Sequence, residues 1–345
     1  ICLLLLSVCT AAIAGDTPKF TKLVFGSPSI GLADFERFAA RAKQSGATHI
    51  TITAEDLPWS FWQYDTPGDP YPTWVISNVG LLKIAPPDAI RPHVSGEHAE
   101  KVMMILEARC KILRRLGLKA AFHTFEPQML PESVFDAHPL WRGPRVDHPL
   151  RSRVSRFAPT IDNHEVLALY QEAMTTIIRR CPEIEILTMR TNDSGAGLDW
   201  SRGLYSGRSG NTSYQNRSMG ERLFDFYSSL QQGAKAAGGS LEVEMYNAKE
   251  LDTPRIVAKL SRGMALDNVE GPAATSFKAS VESLLIYSNV FHPVLGIPQV
   301  VSFVEELERT RRTSAPRLIV SMPDRLNRDL YFQAYDAFLK KPVFG

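Results

Sequence analysis

The sequence predicts an α/β protein with a (β/α)8 or TIM barrel, in which eight parallel strands form a closed sheet inside a layer of helices. Three observations lead to this prediction. Strand-like and helical segments alternate from residue 20 onward, eight strand-like segments are present, and the loops are long on one side and short on the other. The 345 residues are enough for one such barrel as a single domain.

The predicted strands are short apolar runs bounded by turn-forming or polar residues. They are Lys22–Gly26, Thr48–Thr53, Leu118–Phe125, Ile184–Thr191, Leu241–Tyr246, Met264–Val269, Gln299–Val304 and Leu318–Met322. The segment Leu284–Tyr287 is also apolar, but its pattern leaves strand and helix equally open.

Helical periodicity is clearest in three segments between these strands. The first places Phe35, Phe38, Ala39 and Ala42 on one face and ends at Gly46. The second follows the N-cap pair Asp162-Asn163, and its apolar face consists of Val166, Leu169, Tyr170, Ala173 and Ile177. The third, Met219–Ala237, has a capping box formed by Ser218 and Glu221 and ends at Gly238-Gly239.

The loops after predicted strands two, three and four, residues 54–92, 126–160 and 192–217, are long. The active site of such a barrel lies on the face formed by the loops that follow the strands. All five tryptophans fall in these loops: Trp59, Trp62, Trp74, Trp141 and Trp200. Flat aromatic rings at a barrel mouth suit the apolar faces of sugars, whereas the alternative is that these rings form small hydrophobic cores within the loops.

The segment 187–205 is the most informative part of the chain. Here an apolar strand runs into Asn192, Asp193, Ser194 and Gly195, which brings amide, carboxyl and hydroxyl groups to a strand end. The simpler interpretation is a turn in which Asp193 caps the next segment. The functional interpretation makes Asp193 a catalytic carboxylate.

Other carboxylates also lie near predicted strand ends. They are Glu55, Asp56, Glu126, Glu244, Asp267, Glu270, Glu305, Glu306 and Asp324. Glycoside hydrolysis needs two carboxyl groups, one to protonate the leaving oxygen and one to activate water or attack carbon. For each carboxylate other than Asp193, an ion pair with an arginine is the favoured interpretation.

Several functional classes lack support. The net charge of +2 with 22% charged residues provides no basic surface for nucleic acid. The histidines never form HxH or HExxH, GxSxG is absent, and GxGxxG follows no strand, so we expect no metal and no cofactor. His123, on predicted strand three, either faces the barrel interior or is an ordinary core histidine.

Residues 1–14 form an apolar run that ends in Ala12-Ile13-Ala14, the pattern of a secretory signal peptide cleaved near Ala14. Because the run begins at Ile1 without a basic segment, we expect that its start is truncated. The prediction is a secreted or periplasmic protein whose catalytic domain spans residues 18–345. Export permits a disulfide between Cys110 and Cys181, and two buried thiols are equally compatible with the sequence.

From Leu32 onward, the chain resembles the catalytic barrel of the family-67 α-glucuronidases in a divergent form. The stretch 158–166 is similar to the "TADPLDPEV" segment of that family, 191–195 to "ANSEG", and 291–296 to "FHPLFG". Residues 244–247, Asp324-Arg325 and the stretch 331–338 follow in the expected order. The resemblance implies a barrel that hydrolyses glycosidic bonds by an inverting mechanism.

The chain departs from this family at the catalytic positions. Ser194 stands where the family has its acid glutamate, and the segment 269–274 lacks the family's lysine and base aspartate. The second base falls around Glu305 or Glu306. Both the N-terminal domain and the C-terminal helical domain of the family are missing, and we expect a second truncation at Gly345.

The prediction is therefore a secreted glycoside hydrolase with an oligosaccharide or polysaccharide substrate. Asp193 is the predicted general acid, and the base is one of Glu305, Glu306, Asp267 and Glu270. The predicted sugar-binding residues are Asn192, Trp200, Glu126, His123, Trp59, Trp62, Tyr246 and His292. The alternatives are a retaining or substrate-assisted, hexosaminidase-like enzyme and a barrel that binds glycans without cleaving them.

Overall fold

A computed structural model describes most of the barrel. The described residues are 20–26, 31–53, 79–147, 154–190, 196–198, 217, 219–246, 264–266, 283–287, 300–310, 317–322 and 328–340.

Within these residues, strands and helices alternate along the chain. The strands are β1 (Lys22–Gly26), β2 (His49–Thr51), β3 (Lys119–Phe125), β4 (Arg142–Arg145), β5 (Phe157–Pro159), β6 (Ile184–Arg190), β7 (Glu242–Tyr246), β8 (Met264–Leu266), β9 (Ser283–Tyr287) and β10 (Arg317–Ser321). The α-helices are α1 (Leu32–Gln44), α2 (Leu81–Ile84), α3 (Gly96–Leu116), α4 (Glu132–Ala137), α5 (His164–Arg180), α6 (Met219–Ala236), α7 (Val300–Thr310) and α8 (Arg328–Lys340), and short 3₁₀ turns cover Arg91–His93 and Pro139–Trp141.

Eight of these strands pair in parallel in the order β8-β7-β6-β3-β2-β1-β10-β9. This order is cyclic with respect to the chain, because the first strand lies beside the last. Lys22 is in register with Arg317, and Gly26 with Ser321. Parallel pairing of the first and last strands is how a barrel closes, so the predicted (β/α)8 barrel is confirmed.

The strands separate two hydrophobic regions. Side chains that point outward pack against the helices in the large core, which contains Phe25, Phe122, Leu187 and Val320. A small separate cluster consists of Val24, Ala121, Ile186 and partly buried Ile319. These four residues lie on alternate positions of β1, β3, β6 and β10, so they identify the face of each strand that lines the lumen.

Two predicted helices match the structure closely. Asn163 caps α5, where its side-chain oxygen accepts the backbone N–H of Glu165 at 2.8 Å. The predicted apolar residues of α1 and α5 are all buried. Helix α6 ends near Gly238, whose φ of +82° is the left-handed conformation that favours glycine after a helix. Ser218, predicted to cap α6, lies outside the described residues.

The prediction of a strand over Gln299–Val304 is wrong. This segment enters α7, where Phe303 and Leu307 are buried one helical turn apart and Val301 is exposed. The run of valines resembles a strand, but only the 3.6-residue period puts the apolar side chains on the core face. The seventh barrel strand is β9, which includes the ambiguous segment Leu284–Tyr287.

The connection after β3 has its own structure. It contains α4 and an antiparallel pair formed by β4 and β5, with Arg142 opposite Pro159. Leu130 also bridges to Phe157 in β5. The long loop predicted after this strand is thus a small folded layer over the carboxyl end of β3.

Cys110 and Cys181 are both buried and both free. A hydrogen bond with the Cys181 thiol, together with burial, raises the pKa of Cys110 far above its ordinary value. The sequence left open whether Cys110 and Cys181 form a disulfide. In the structure the two thiols lie side by side and are not bonded to each other. Among the described helices, none is both long and apolar enough to cross a membrane.

Candidate functional site

The mouth of the barrel is defined here by four lumen-facing residues at the carboxyl ends of two neighbouring strands: His123 and Phe125 of β3, and Thr188 and Arg190 of β6. The register pairs His123 with Thr188 and Phe125 with Arg190. Each lies two or four positions beyond a residue of the lumen cluster, Ala121 or Ile186, so all four share the lumen face. The strand alternation therefore brings a histidine, an arginine, a hydroxyl and an aromatic ring together.

His123 is held in a fixed orientation. Its Nδ1 lies 3.0 Å from the hydroxyl oxygen of Thr188, and its ring meets that of Phe125 edge-on with centroids 5.4 Å apart. The hydroxyl of Thr53 bridges β2 to β3 by accepting the His123 N–H and donating to its carbonyl, both at 2.7 Å. Burial, with a smaller contribution from the Arg190 charge, lowers the pKa of His123 to about 4. The imidazole is therefore neutral at physiological pH.

Arg190 is the last residue of β6 and brings positive charge to the mouth. Its guanidinium lies 5.9 Å from the centre of the Phe125 ring, at the outer limit of a cation–π contact. Arg190 is not among the site residues that the sequence predicts. The alternation of side chains along the strand 184–190 could have indicated its position, because it places Arg190 on the same face as Thr188.

Glu126, a predicted sugar-binding residue, is only 1% exposed. Its carboxylate accepts hydrogen bonds from the N–H of Leu81 at 2.5 Å, from the N–H of Gln128 at 2.9 Å and from the hydroxyl of Tyr170 at 2.9 Å. These donors come from α2, from the loop after β3 and from α5. The structure thus places Glu126 within the protein beside the mouth, where its oxygens already bind protein groups.

Lys83 of α2 lies near this carboxylate and is 1% exposed. Burial lowers the pKa of Lys83 to about 7, against the opposing attraction of Glu126. Burial likewise raises the pKa of Glu126 to about 7, although its hydrogen bonds and Lys83 oppose the shift. Sequence reasoning missed Lys83 and Tyr170 as partners of Glu126, because a lysine in LLKI gives no sign that it is buried.

Glu244 of β7 is in register with Thr188, is fully buried and forms an ion pair with Arg317 of β10. Glu305 and Glu306 were predicted to follow a strand, and that placement is wrong because both belong to α7. The Glu305 side chain is exposed on this helix. It lies in the helical layer and not at a strand end.

Eight of the predicted site residues lie outside the described residues. They are Trp59, Trp62, Asn192, Asp193, Trp200, Asp267, Glu270 and His292. Tyr246 ends β7 in register with Arg190, and only its backbone and that of Glu306 are described.

Trp141 shows how one of the loop tryptophans is used. It is 5% exposed, stacks on His138 with ring centroids 3.7 Å apart, and donates from Nε1 to Glu165 at 2.7 Å. This ring belongs to the core of the loop after β3, which is the alternative that the sequence left open. Among the described side chains, no group of three or more His, Cys, Asp or Glu residues is placed to hold a metal ion.

No protein-family model matches the sequence, and no curated protein matches it. Solved structures do match. A structure of the tandem GH20 catalytic modules of the pneumococcal exo-β-D-N-acetylglucosaminidase StrH aligns over 93% of this chain and 84% of that chain, with a TM-score of 0.53 and 10% identity. Dispersin B aligns over 93% of this chain and 99% of its own, with a TM-score of 0.51 and 11% identity.

A GH36 α-galactosidase from Geobacillus stearothermophilus aligns over 93% of this chain with a TM-score of 0.51 and 10% identity. In that case the chain spans only 42% of the matched protein. At sequence identities this low, the structural comparisons establish similarity of fold alone. The chain thus has a TIM-barrel fold similar to that of these structures, and the resemblance to family 67 stays a prediction.

Proposed function

We propose that the protein is a glycoside hydrolase that cleaves O-glycosidic bonds in glycans derived from a polysaccharide. The observation that carries this proposal is the mouth itself. Neutral His123 and the Arg190 guanidinium lie on the lumen face of neighbouring strands, two register positions apart. Arg190 comes two residues before Asn192 and three before Asp193. The barrels of similar structure that were named above are glycoside hydrolases.

Asp193 is the proposed general acid. To hold a proton near neutral pH, this carboxyl needs a raised pKa from burial or from a neighbouring carboxylate. The proposed base is Asp267, which follows the last residue of β8 directly, or Glu270 three residues later. We favour Asp267 and Glu270 over Glu305 and Glu306, because the latter two belong to α7 and do not directly follow a strand.

The finer proposal is an α-glucuronidase-like enzyme that is secreted or exported to the periplasm. Arg190 supports an anionic sugar, since a guanidinium pairs with a carboxylate in a bidentate geometry. An inverting enzyme requires its two carboxyl groups roughly 6.5–9.5 Å apart, whereas a retaining enzyme requires about 5–5.5 Å. The anomeric form of the first product, followed by NMR, distinguishes these mechanisms.

The test is release of reducing ends from a panel of uronic-acid-bearing and neutral oligosaccharides. Asp193→Asn should lower kcat by about 10²–10⁴-fold if this carboxyl transfers a proton in the transition state. Asp136→Asn is the matched control, because Asp136 is an exposed carboxylate on α4. It should retain wild-type activity.

Three results contradict parts of the proposal. Equal activity in wild type and Asp193→Asn would assign the acid to another residue. Failure of the wild type to cleave any glycan that it binds would favour a barrel that binds without cleaving. Cleavage restricted to substrates with a 2-acetamido group would favour the substrate-assisted mechanism.

A further inference from the structure

Glu126 joins segments that are distant in the sequence. Its two carboxylate oxygens accept the N–H of Leu81, the N–H of Gln128 and the hydroxyl of Tyr170. Leu81 begins α2 at the end of the loop after β2, Gln128 lies in the loop after β3, and Tyr170 is on α5. One buried side chain therefore fixes two mouth loops to each other and to the helical layer.

The loop after β3 in turn contacts residues 196–197 of the loop after β6. The N–H of Gly197 donates to the carbonyl of Pro127 at 3.0 Å, and Gln128 forms an antiparallel bridge with Ala196. Ala196 is fully buried at this contact. The backbone at Pro127 and Gln128 is thus held on one side by Glu126 and pairs on the other side with residues 196–197.

The surroundings of Glu126 explain why a carboxylate is used. Two backbone N–H donors and a tyrosine hydroxyl need acceptors in this buried region, and a carboxylate has enough lone pairs for all three. Lys83, equally buried, lies nearby and favours the ionised form of Glu126. An amide in the same place has only one acceptor oxygen, so at least one of the three donors would lose its partner.

We propose that Glu126 is a positioning residue for catalysis. It holds residues 196–197 of the loop after β6 in place through the backbone of Pro127 and Gln128, which pairs with Gly197 and Ala196. The inference rests on the proposed function, because that loop begins with the Asn192-Asp193 segment that carries the proposed acid. Glu126 acts through the backbone and does not touch substrate. Misplacement of a catalytic group by about 1 Å can cost on the order of 10²-fold in rate.

The test compares Glu126→Gln with Glu183→Gln in the whole protein. Glu183 is a matched control, since it is also buried and paired, with Arg114 at 2.5 Å, but lies just before β6 at the opposite end of the barrel. Amide hydrogen exchange is measured at Leu81, Gln128 and Gly197. We expect at least ~10-fold faster exchange at all three amides in Glu126→Gln and no change there in Glu183→Gln.

Activity provides the second readout. Glu126→Gln should lower kcat by at least ~10-fold with KM changed by less than about 3-fold, because the acid is misplaced while the sugar site remains. Glu183→Gln should lower thermal stability and leave kcat unchanged. A kcat loss in both variants in proportion to stability would overturn the positioning role.

The exchange result stands without the enzyme assay. Unchanged exchange at Gly197 in Glu126→Gln overturns the inference whatever the activity, whereas a wild type that cleaves no glycan defeats the proposed function and leaves the exchange comparison decisive for the loop linkage. Tyr170→Phe removes one donor and keeps the buried ring. If Glu126→Gln fails to fold, Tyr170→Phe should still accelerate exchange at Gln128 and Gly197, and no acceleration overturns the inference.

Discussion

The guanidinium of Arg317 on β10 pairs with the carboxylate of Glu244 on β7, across the lumen of the barrel. These strands are not neighbours in the sheet. Both side chains are at most 2% exposed, and Arg317 also pairs with Glu242, which in turn pairs with Lys22 of β1. These ion pairs thus link β1, β7 and β10 on the lumen face, and they give Glu244, which is in register with Thr188 of the mouth, a structural role.

Removing one partner of these ion pairs should be costly. Arg317→Met leaves the buried Glu244 carboxylate without its partner, and we expect a loss of about 3–5 kcal/mol in the free energy of unfolding. The double variant Arg317→Met/Glu244→Met removes both buried charges and should recover most of that loss. Urea unfolding of the two variants measures the difference, and equal losses in both would show that the ion pair is not the cause.

The pKa of His123 predicts a pH dependence of stability. Burial and the Arg190 charge lower this pKa to about 4 in the folded protein, whereas the ordinary value is 6.5. Below 6.5 the unfolded chain binds a proton that folded His123 excludes, so His123 contributes stability above pH 6.5 that is lost as the pH falls through about 4.

The measurement is the free energy of unfolding of wild type and His123→Gln between pH 7 and pH 4. The wild type should lose stability more steeply than the variant over this range, because only the wild type has the histidine. Parallel curves for the two proteins would be the contrary result.

Helices α5 and α6 approach each other closely at Gly233. A Cβ at this position would collide with the carbonyl oxygen of Gln171 and lie 3.0 Å from the Cβ of Met174. Although alanine favours a helix over glycine by about 1 kcal/mol, Gly233→Ala should lower stability by roughly 1–3 kcal/mol because the helices must separate. Thermal unfolding measures this loss.

Gly96→Ala is the control for that experiment. Gly96 begins α3, and a Cβ there meets nothing within 4 Å. This substitution should leave stability within about 0.5 kcal/mol of wild type or raise it. A loss equal to that of Gly233→Ala would exclude helix contact as the explanation.

Arg190 predicts a preference for anionic sugars. If its guanidinium binds a sugar carboxylate, Arg190→Met should lower kcat/KM on uronic-acid-bearing oligosaccharides by at least ~10-fold more than on neutral ones. Arg37→Met, at a side chain that is 73% exposed on α1, is the control. An equal loss on both substrate classes would point to a structural role for Arg190.

The fold was largely predictable because the spacing of apolar residues along the sequence indicates where helices and strands form. In the segments 35–42 and 166–177, apolar residues recur at the helical spacing. The apolar face of each of these two helices is buried as expected. The error at 299–304 has a physical reason. Six residues with three valines satisfy a strand pattern, and the helix becomes visible only when Phe303 and Leu307 are considered together.

The site was less predictable, because burial of polar groups depends on contacts between distant segments. Nothing in the sequence near Glu126 indicates that Leu81 and Tyr170 donate to it, or that Lys83 is buried beside it. The position of His123 was easier to predict. A histidine at an alternate position of an apolar strand must face either the lumen or the helices, and its 3.0 Å contact with Thr188 places it on the lumen side.

The pairing of β1 with β10 has a consequence for how the chain is made. Ribosomes release the chain from its amino end, so β1 is complete long before β10 exists. Until then one edge of β1 has its hydrogen-bonding groups open to other strands, and contacts of such long sequence separation form slowly. Arg41 of α1 pairs with Asp336 of α8 at 2.6 Å, which joins the two helices that follow β1 and β10. The nascent protein therefore stays open to aggregation at this edge of β1 until β10 and α8 have emerged.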